Sequence, residues 1–95
     1  MRLGRQFTVA ATRAGELLLA RGRFDQAQAL AEQALALDPW LESAHRLVVA
    51  SHRAAGFSLD AQRALRRYRE AIRELGLTPD QATLMVERLL ESLPA

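Results

Sequence analysis

The chain has 95 residues, 49% of them hydrophobic and 25% charged, which suits one folded domain and is too apolar for a disordered chain. It has no Cys, which excludes disulfides and thiolate chemistry, and no run of about 20 apolar residues that could span a membrane. All 13 basic residues are Arg, but the formal net charge is only +2, which does not suggest a dedicated nucleic-acid binder.

The apolar residues recur with a helical period along the whole chain, and the pattern never switches to the alternation typical of a strand. We therefore expect an all-α module spanning residues 1–95. The five predicted helices cover residues 6–21, 24–37, 40–55, 59–75 and 79–93, approximately. No signal peptide opens the sequence, so a cytoplasmic location is expected.

Glycines and prolines mark the breaks between these helices, at Gly22, Gly56, Gly76, Pro39 and Pro79. The glycines are predicted to end helices in the left-handed conformation, and the prolines to begin them. Thr78, followed three residues later by Gln81, predicts a capping box at the start of the fifth helix.

An internal repeat of 34 residues separates Gly22 from Gly56 and Ala27 from Ala61. The segment GRFDQAQALAEQALALDP resembles the second half of the tetratricopeptide consensus, a helix-turn-helix of this period. The resemblance implies a superhelix of two antiparallel hairpins and a C-terminal capping helix. Ala27 and Ala61 are expected at the tight contacts within the hairpins, because close helix approach requires small side chains.

The sequence also resembles a more specific family, the bacterial transcriptional activator domain, over about residues 14–90. The matching residues lie in LDPWLESAHRLVVASHRAAG and RELGLTPDQAT, and they are Asp38, Pro39, Glu42, His45, Gly56, Glu74, Leu75, Gly76, Pro79 and Thr83. This resemblance implies part of a transcription regulator, with a role in protein contacts, self-association and regulation. The N-terminal portion of the usual domain is expected to be missing.

His45 and His52 are seven residues apart, about 10.5 Å along one helix, too far for both to bind one metal ion. The tetratricopeptide register places both toward the concave groove, where they could contact a partner. The alternative is that each is solvated or hydrogen-bonded within the fold. Neighbouring serines lack a third group that would orient a base, so no catalytic site is predicted.

The fourth helix carries an outer face rich in Arg, including Arg63, Arg66 and Arg67. This face could be a solvated surface, a site for an acidic partner, or a contact to DNA phosphates. Arg66 and Glu70 are spaced to form an ion pair. Trp40 could anchor an interface or cover the end of the second helix.

The function predicted from these features is a non-catalytic protein-interaction and oligomerisation module, without cofactor, metal or evident small-molecule substrate. The expected partner is a protein, either a second copy or another regulator domain. Phe7, Leu17 and Leu18 on the first helix are expected to be partly exposed and to promote association. The alternative is a basic module that touches nucleic-acid phosphates directly and weakly.

Overall fold

The computed structural model describes residues 2–94, and these form five α-helices with no strand among them. The helices are α1 (Arg2–Ala20), α2 (Phe24–Leu37), α3 (Glu42–Ala54), α4 (Ser58–Arg73) and α5 (Pro79–Glu91). Each helix packs against the next in sequence, and α3 also contacts α1 and α5. The all-α, tetratricopeptide-like fold expected from the sequence is confirmed; residues 1 and 95 of the expected module lie outside the described range.

The turns after α1 and α3 repeat the same hydrogen bonds 34 residues apart. The Arg23 N–H donates to the Leu18 carbonyl at 2.9 Å, and the Phe57 N–H donates to the His52 carbonyl at 2.8 Å. Gly22 and Gly56 have φ of +75° and +86°, the left-handed conformation that a Schellman turn requires. The 34-residue register is therefore present in the backbone as well as in the sequence.

The start of α3 differs from the prediction, because Pro39 lies in the turn and the helix begins at Glu42. The Asp38 carboxylate accepts the Trp40 N–H at 3.2 Å, and the Asp38 carbonyl accepts the Leu41 N–H at 3.2 Å. Asp38 is extended, as the residue before a proline usually is. Pro39 therefore helps to end α2 and does not begin α3.

α2 spans the predicted residues, and the remaining helices differ at one or both ends by a few residues. α1 starts at Arg2, four residues before the predicted start, while α4 and α5 each end two residues early. Pro79 does begin α5, and the capping box is formed: the Gln81 N–H donates to Thr78 Oγ1 at 3.2 Å, and the Thr78 N–H donates to Gln81 Oε1 at 2.9 Å.

Small residues set the helix spacing in the core. Ala27 is fully buried and Ala61 nearly so. A Cβ added to Gly15 of α1 would overlap the Leu47 side chain of α3 and lie 3.5 Å from the Ala27 carbonyl oxygen of α2. Gly15 therefore lies where three helices meet, and a side chain at this position would require Leu47 to shift.

Candidate interaction groove

A groove of about 670 Å³ runs between α1, α3 and the segment that follows α5. Its lining residues are Glu16, Leu19 and Ala20 of α1; Ser43, Arg46, Leu47, Ala50, Arg53 and Ala54 of α3; and Ser92, Leu93 and Pro94. Two of the three walls are thus the odd-numbered helices α1 and α3, and the third is the segment that follows α5. The groove is the concave surface expected from tetratricopeptide stacking.

The lining combines an apolar floor with a charged rim. Leu47 and Ala50 are buried, whereas Glu16 and Arg53 are exposed. The Arg46 guanidinium lies 3.5 Å from the Glu42 carboxylate, in an ion pair open to solvent. Such a surface can accept apolar side chains of a polypeptide while the rim pairs with its charges.

His45 is buried, with 2% of its surface exposed, and it does not line the groove. Its Nε2 is 2.8 Å from the Pro39 carbonyl oxygen, which can only accept, so Nε2 carries the proton. Burial lowers the pKa of His45, and the nearby Arg67 charge also lowers it, while the Pro39 hydrogen bond and the Glu32 and Asp38 carboxylates oppose the shift. His45 is therefore hydrogen-bonded within the fold, as one of the two interpretations of the sequence proposed.

The His45 ring also packs against Tyr68 of α4, with ring centroids 5.1 Å apart at an angle of 50°. Tyr68 is completely buried, and burial raises the pKa of its hydroxyl. Sequence reasoning missed this pair. The position of the turn at Gly56 could have indicated it. Residues 45 and 68 are nearly equidistant from Gly56, so they are expected to face each other across the α3–α4 hairpin.

His52 is half-buried and, like His45, is absent from the residues that line the groove. The α3 residues that do line the groove include Arg46 and Arg53, one position after each histidine. One residue is a rotation of about 100° around a helix. The groove side of α3 is therefore displaced by one residue from the two histidines.

Trp40 lies in the α2–α3 turn with 43% of its surface exposed. The backbone N–H of Trp40 donates to the Asp38 carboxylate, and this bond fixes the backbone of the turn. The ring therefore remains half available to a partner, and both interpretations made from the sequence stay open.

Arg67 is the arginine of α4 that is best anchored within the fold. Its guanidinium donates to Glu32 of α2 at 2.8 Å, a bond that raises the pKa of Arg67, and the pair ties α4 to α2. Arg69, a neighbour on α4, donates to Thr83 Oγ1 of α5 at 2.9 Å. These two arginines serve contacts between helices.

Arg63 and Arg66 are more accessible. Arg63 lies 3.5 Å from Asp60 with a largely exposed side chain. Arg66 is exposed, and the predicted Arg66–Glu70 ion pair is not formed in the described structure. Fewer arginines on this face of α4 are therefore free to bind an external anion than the sequence suggests.

Among the described residues no three His, Asp or Glu side chains are grouped so that they could hold a metal ion. No helix within residues 2–94 is both long and apolar enough to cross a membrane. The polar atoms that are fully buried without a partner in this range are Ser51 Oγ and Tyr68 Oη, both inside the α3–α4 region.

Searches of curated proteins and of solved structures found no match to this chain. The family model described as the bacterial transcriptional activator domain matches residues 1–90, a longer range than the resemblance seen in the sequence. With a match over nearly the full length and the helical repeat that the resemblance implied, the chain belongs to the bacterial transcriptional activator domain family, whose members are domains of transcription regulators.

Proposed function

We propose that this chain is a non-catalytic protein-interaction and oligomerisation module of a cytoplasmic bacterial transcription regulator, and that its concave groove is the main contact surface. The observation that carries the proposal is the groove itself, with an apolar floor and a charged rim. Interfaces of this kind place apolar anchors at the centre and polar pairs around them.

The groove has room for side chains from a partner segment. Leu19, Leu47 and Leu93 approach it from three different elements. Each leucine-sized side chain that a partner buries there contributes about 1.5–3 kcal/mol. Glu16 on the α1 wall and Arg53 on the α3 wall carry opposite charges, so opposite charges on the partner can fix its direction.

Photo-cross-linking tests the proposal. A photoreactive amino acid replaces Ala54, an exposed residue of the groove, or Ala29, an exposed residue of α2 outside it. In cells of the source bacterium, the Ala54 probe should give a discrete cross-link to one protein and the Ala29 probe should not. Equal cross-linking from both positions, or none from Ala54, would overturn the proposal.

A second candidate function is direct contact with nucleic-acid phosphates through α4. The exposed side chains of Arg63 and Arg66 favour it. The engagement of Arg67 with Glu32 and of Arg69 with Thr83 counts against it, because those guanidinium groups already have partners. Such contact would be weak and independent of base sequence.

A further inference from the structure

The outer face of α5 is acidic. Its buried side carries Ala82 and Leu89, and the opposite side exposes a stripe spaced by three or four residues. The stripe consists of Asp80, Leu84, Glu87 and Glu91, all exposed, with Leu84 49% accessible. Counting Arg88, the net charge of the helix is −2.

The outer face of α1 is basic. Thr8, Ala11 and Thr12 are buried on one side of this helix. The opposite side presents an exposed stripe formed by Arg5, Gln6, Val9, Arg13 and Leu17, in which Val9 is 45% and Leu17 63% accessible. The sequence of α1 contains three Arg and one Glu, a net charge of +2.

We propose that the acidic stripe of α5 in one copy of this chain docks on the basic stripe of α1 in a second copy. Each stripe combines apolar residues with charges mainly of one sign, and the two signs are opposite. Glu16 on α1 and Arg88 on α5 are the exposed charges of the other sign beside them. With the two helices antiparallel, Leu84 would contact Leu17, while Glu87 and Glu91 would face Arg13 and Arg5. The inference rests on the oligomerisation role proposed above and assigns it to a surface outside the groove.

The position of these helices in the stack favours this arrangement. α1 and α5 are the first and last layers, and the described residues form no contact between them. In a helical repeat each layer buries its face against the next, so an α5–α1 contact between copies would continue the stack. Because the two surfaces differ, the association is head-to-tail and can extend beyond two copies.

One helical stripe is smaller than the interface of a stable dimer, so the association should be weak and reversible. Its ion pairs lie near solvent, so added salt should weaken it further. A hydrophobic contact alone would not have this salt dependence.

Sedimentation velocity with charge-reversed variants tests the inference. Variant A carries Arg5→Glu and Arg13→Glu on α1, and variant B carries Glu87→Arg and Glu91→Arg on α5. Each variant alone should associate about tenfold more weakly than the unmodified chain, because like charges then face each other. An equimolar mixture of A and B should recover association, because each supplies the face that the other lacks.

The matched control carries Arg66→Glu and Arg73→Glu on α4, which alters the net charge as variant A does and should leave association unchanged. Circular dichroism verifies that every variant is folded. A monomeric unmodified chain, association that survives in A or B alone, or a mixture that does not recover would each overturn the inference. The groove cross-link at Ala54 is scored separately, so failure here and failure of the proposed function are distinguishable.

Discussion

Small side chains at a few positions determine how closely the helices of this domain approach. Gly15 lies against Leu47 and the Ala27 backbone, and Ala27 has no exposed surface. A group added at Gly15 would displace the Leu47 side chain, and one added at Ala27 could not extend into solvent. In a closely packed interior, even one added methylene group changes the stability of the fold.

Replacing Ala27 or Ala61 with Leu should lower the free energy of unfolding by about 1–3 kcal/mol, because the added atoms force the hairpin helices apart. Urea denaturation measures the change. Ala29→Leu, on the exposed side of α2, is the control and should alter stability by less than about 0.5 kcal/mol. If both buried variants matched the control, the assigned 34-residue register would be wrong.

His45 should make stability depend on pH. Burial lowers the pKa of His45 in the folded chain below its usual 6.5, so the unfolded chain binds the proton more readily. Stability is therefore full above pH 6.5 and declines as the pH falls through 6.5 toward the lowered value. Thermal melting between pH 7.5 and 5.5 should show this decline.

The variant His45→Gln can still donate an N–H to Pro39 but has no titrating ring, so its melting temperature should change less over the same pH range. His52→Gln serves as the comparison, and its melting temperature should fall with pH as that of the unmodified chain does. A decline of equal size in His45→Gln would show that other groups cause it.

Five helices, their order and the glycine turns between them could all be predicted, because amphipathic periodicity and helix-ending glycines are local signals. The start of α3 could not be predicted from Pro39 alone, since the Asp38 side chain and backbone build a turn that extends to Leu41. The groove face of α3 could not be predicted for a different reason. Arg46 and His45 are adjacent in sequence, and only packing against Tyr68 decides which of them is buried.

The capping box stabilises one helix, α5, separately from the contacts in the core. Thr78→Ala removes the acceptor for the Gln81 N–H and should cost about 1 kcal/mol. α5 is the last layer of the stack, so hydrogen exchange should accelerate mainly within residues 79–91. Gln62→Ala, at an exposed position of α4, should leave exchange in α5 unchanged; uniform acceleration across all five helices would contradict a local role for the cap.

The whole molecule measures 36 × 35 × 17 Å, a thin stack whose helices each bury one side against a neighbour. Every helix within residues 2–94 packs against another, and none of these projects from the stack in the way that reading bases in the major groove requires. The shape instead leaves a concave groove and two end faces, which are surfaces suited to other polypeptides. The 34-residue repeat thus produces the groove and the end faces on which the proposed interaction role depends.

Binding to duplex DNA should accordingly be weak, with a dissociation constant of about 10⁻⁴ M or above at physiological salt. Fluorescence anisotropy with several unrelated duplexes at two salt concentrations measures it. Arg66→Ala should weaken binding equally on every sequence, and Arg67→Ala should have less effect because Glu32 already holds that guanidinium. Nanomolar binding that depends on sequence would instead favour the nucleic-acid function.

The most direct measurement is a calorimetric titration of the chain with the protein cross-linked through Ala54. Ala54→Arg places a bulky charge at the edge of the groove, and Ala29→Arg places the same charge on α2 outside it. If the groove is the contact surface, Ala54→Arg weakens binding about tenfold or more while Ala29→Arg leaves it nearly unchanged. Equal affinities for the two variants, or a larger loss with Ala29→Arg, would contradict the assignment of this groove as the protein-binding site.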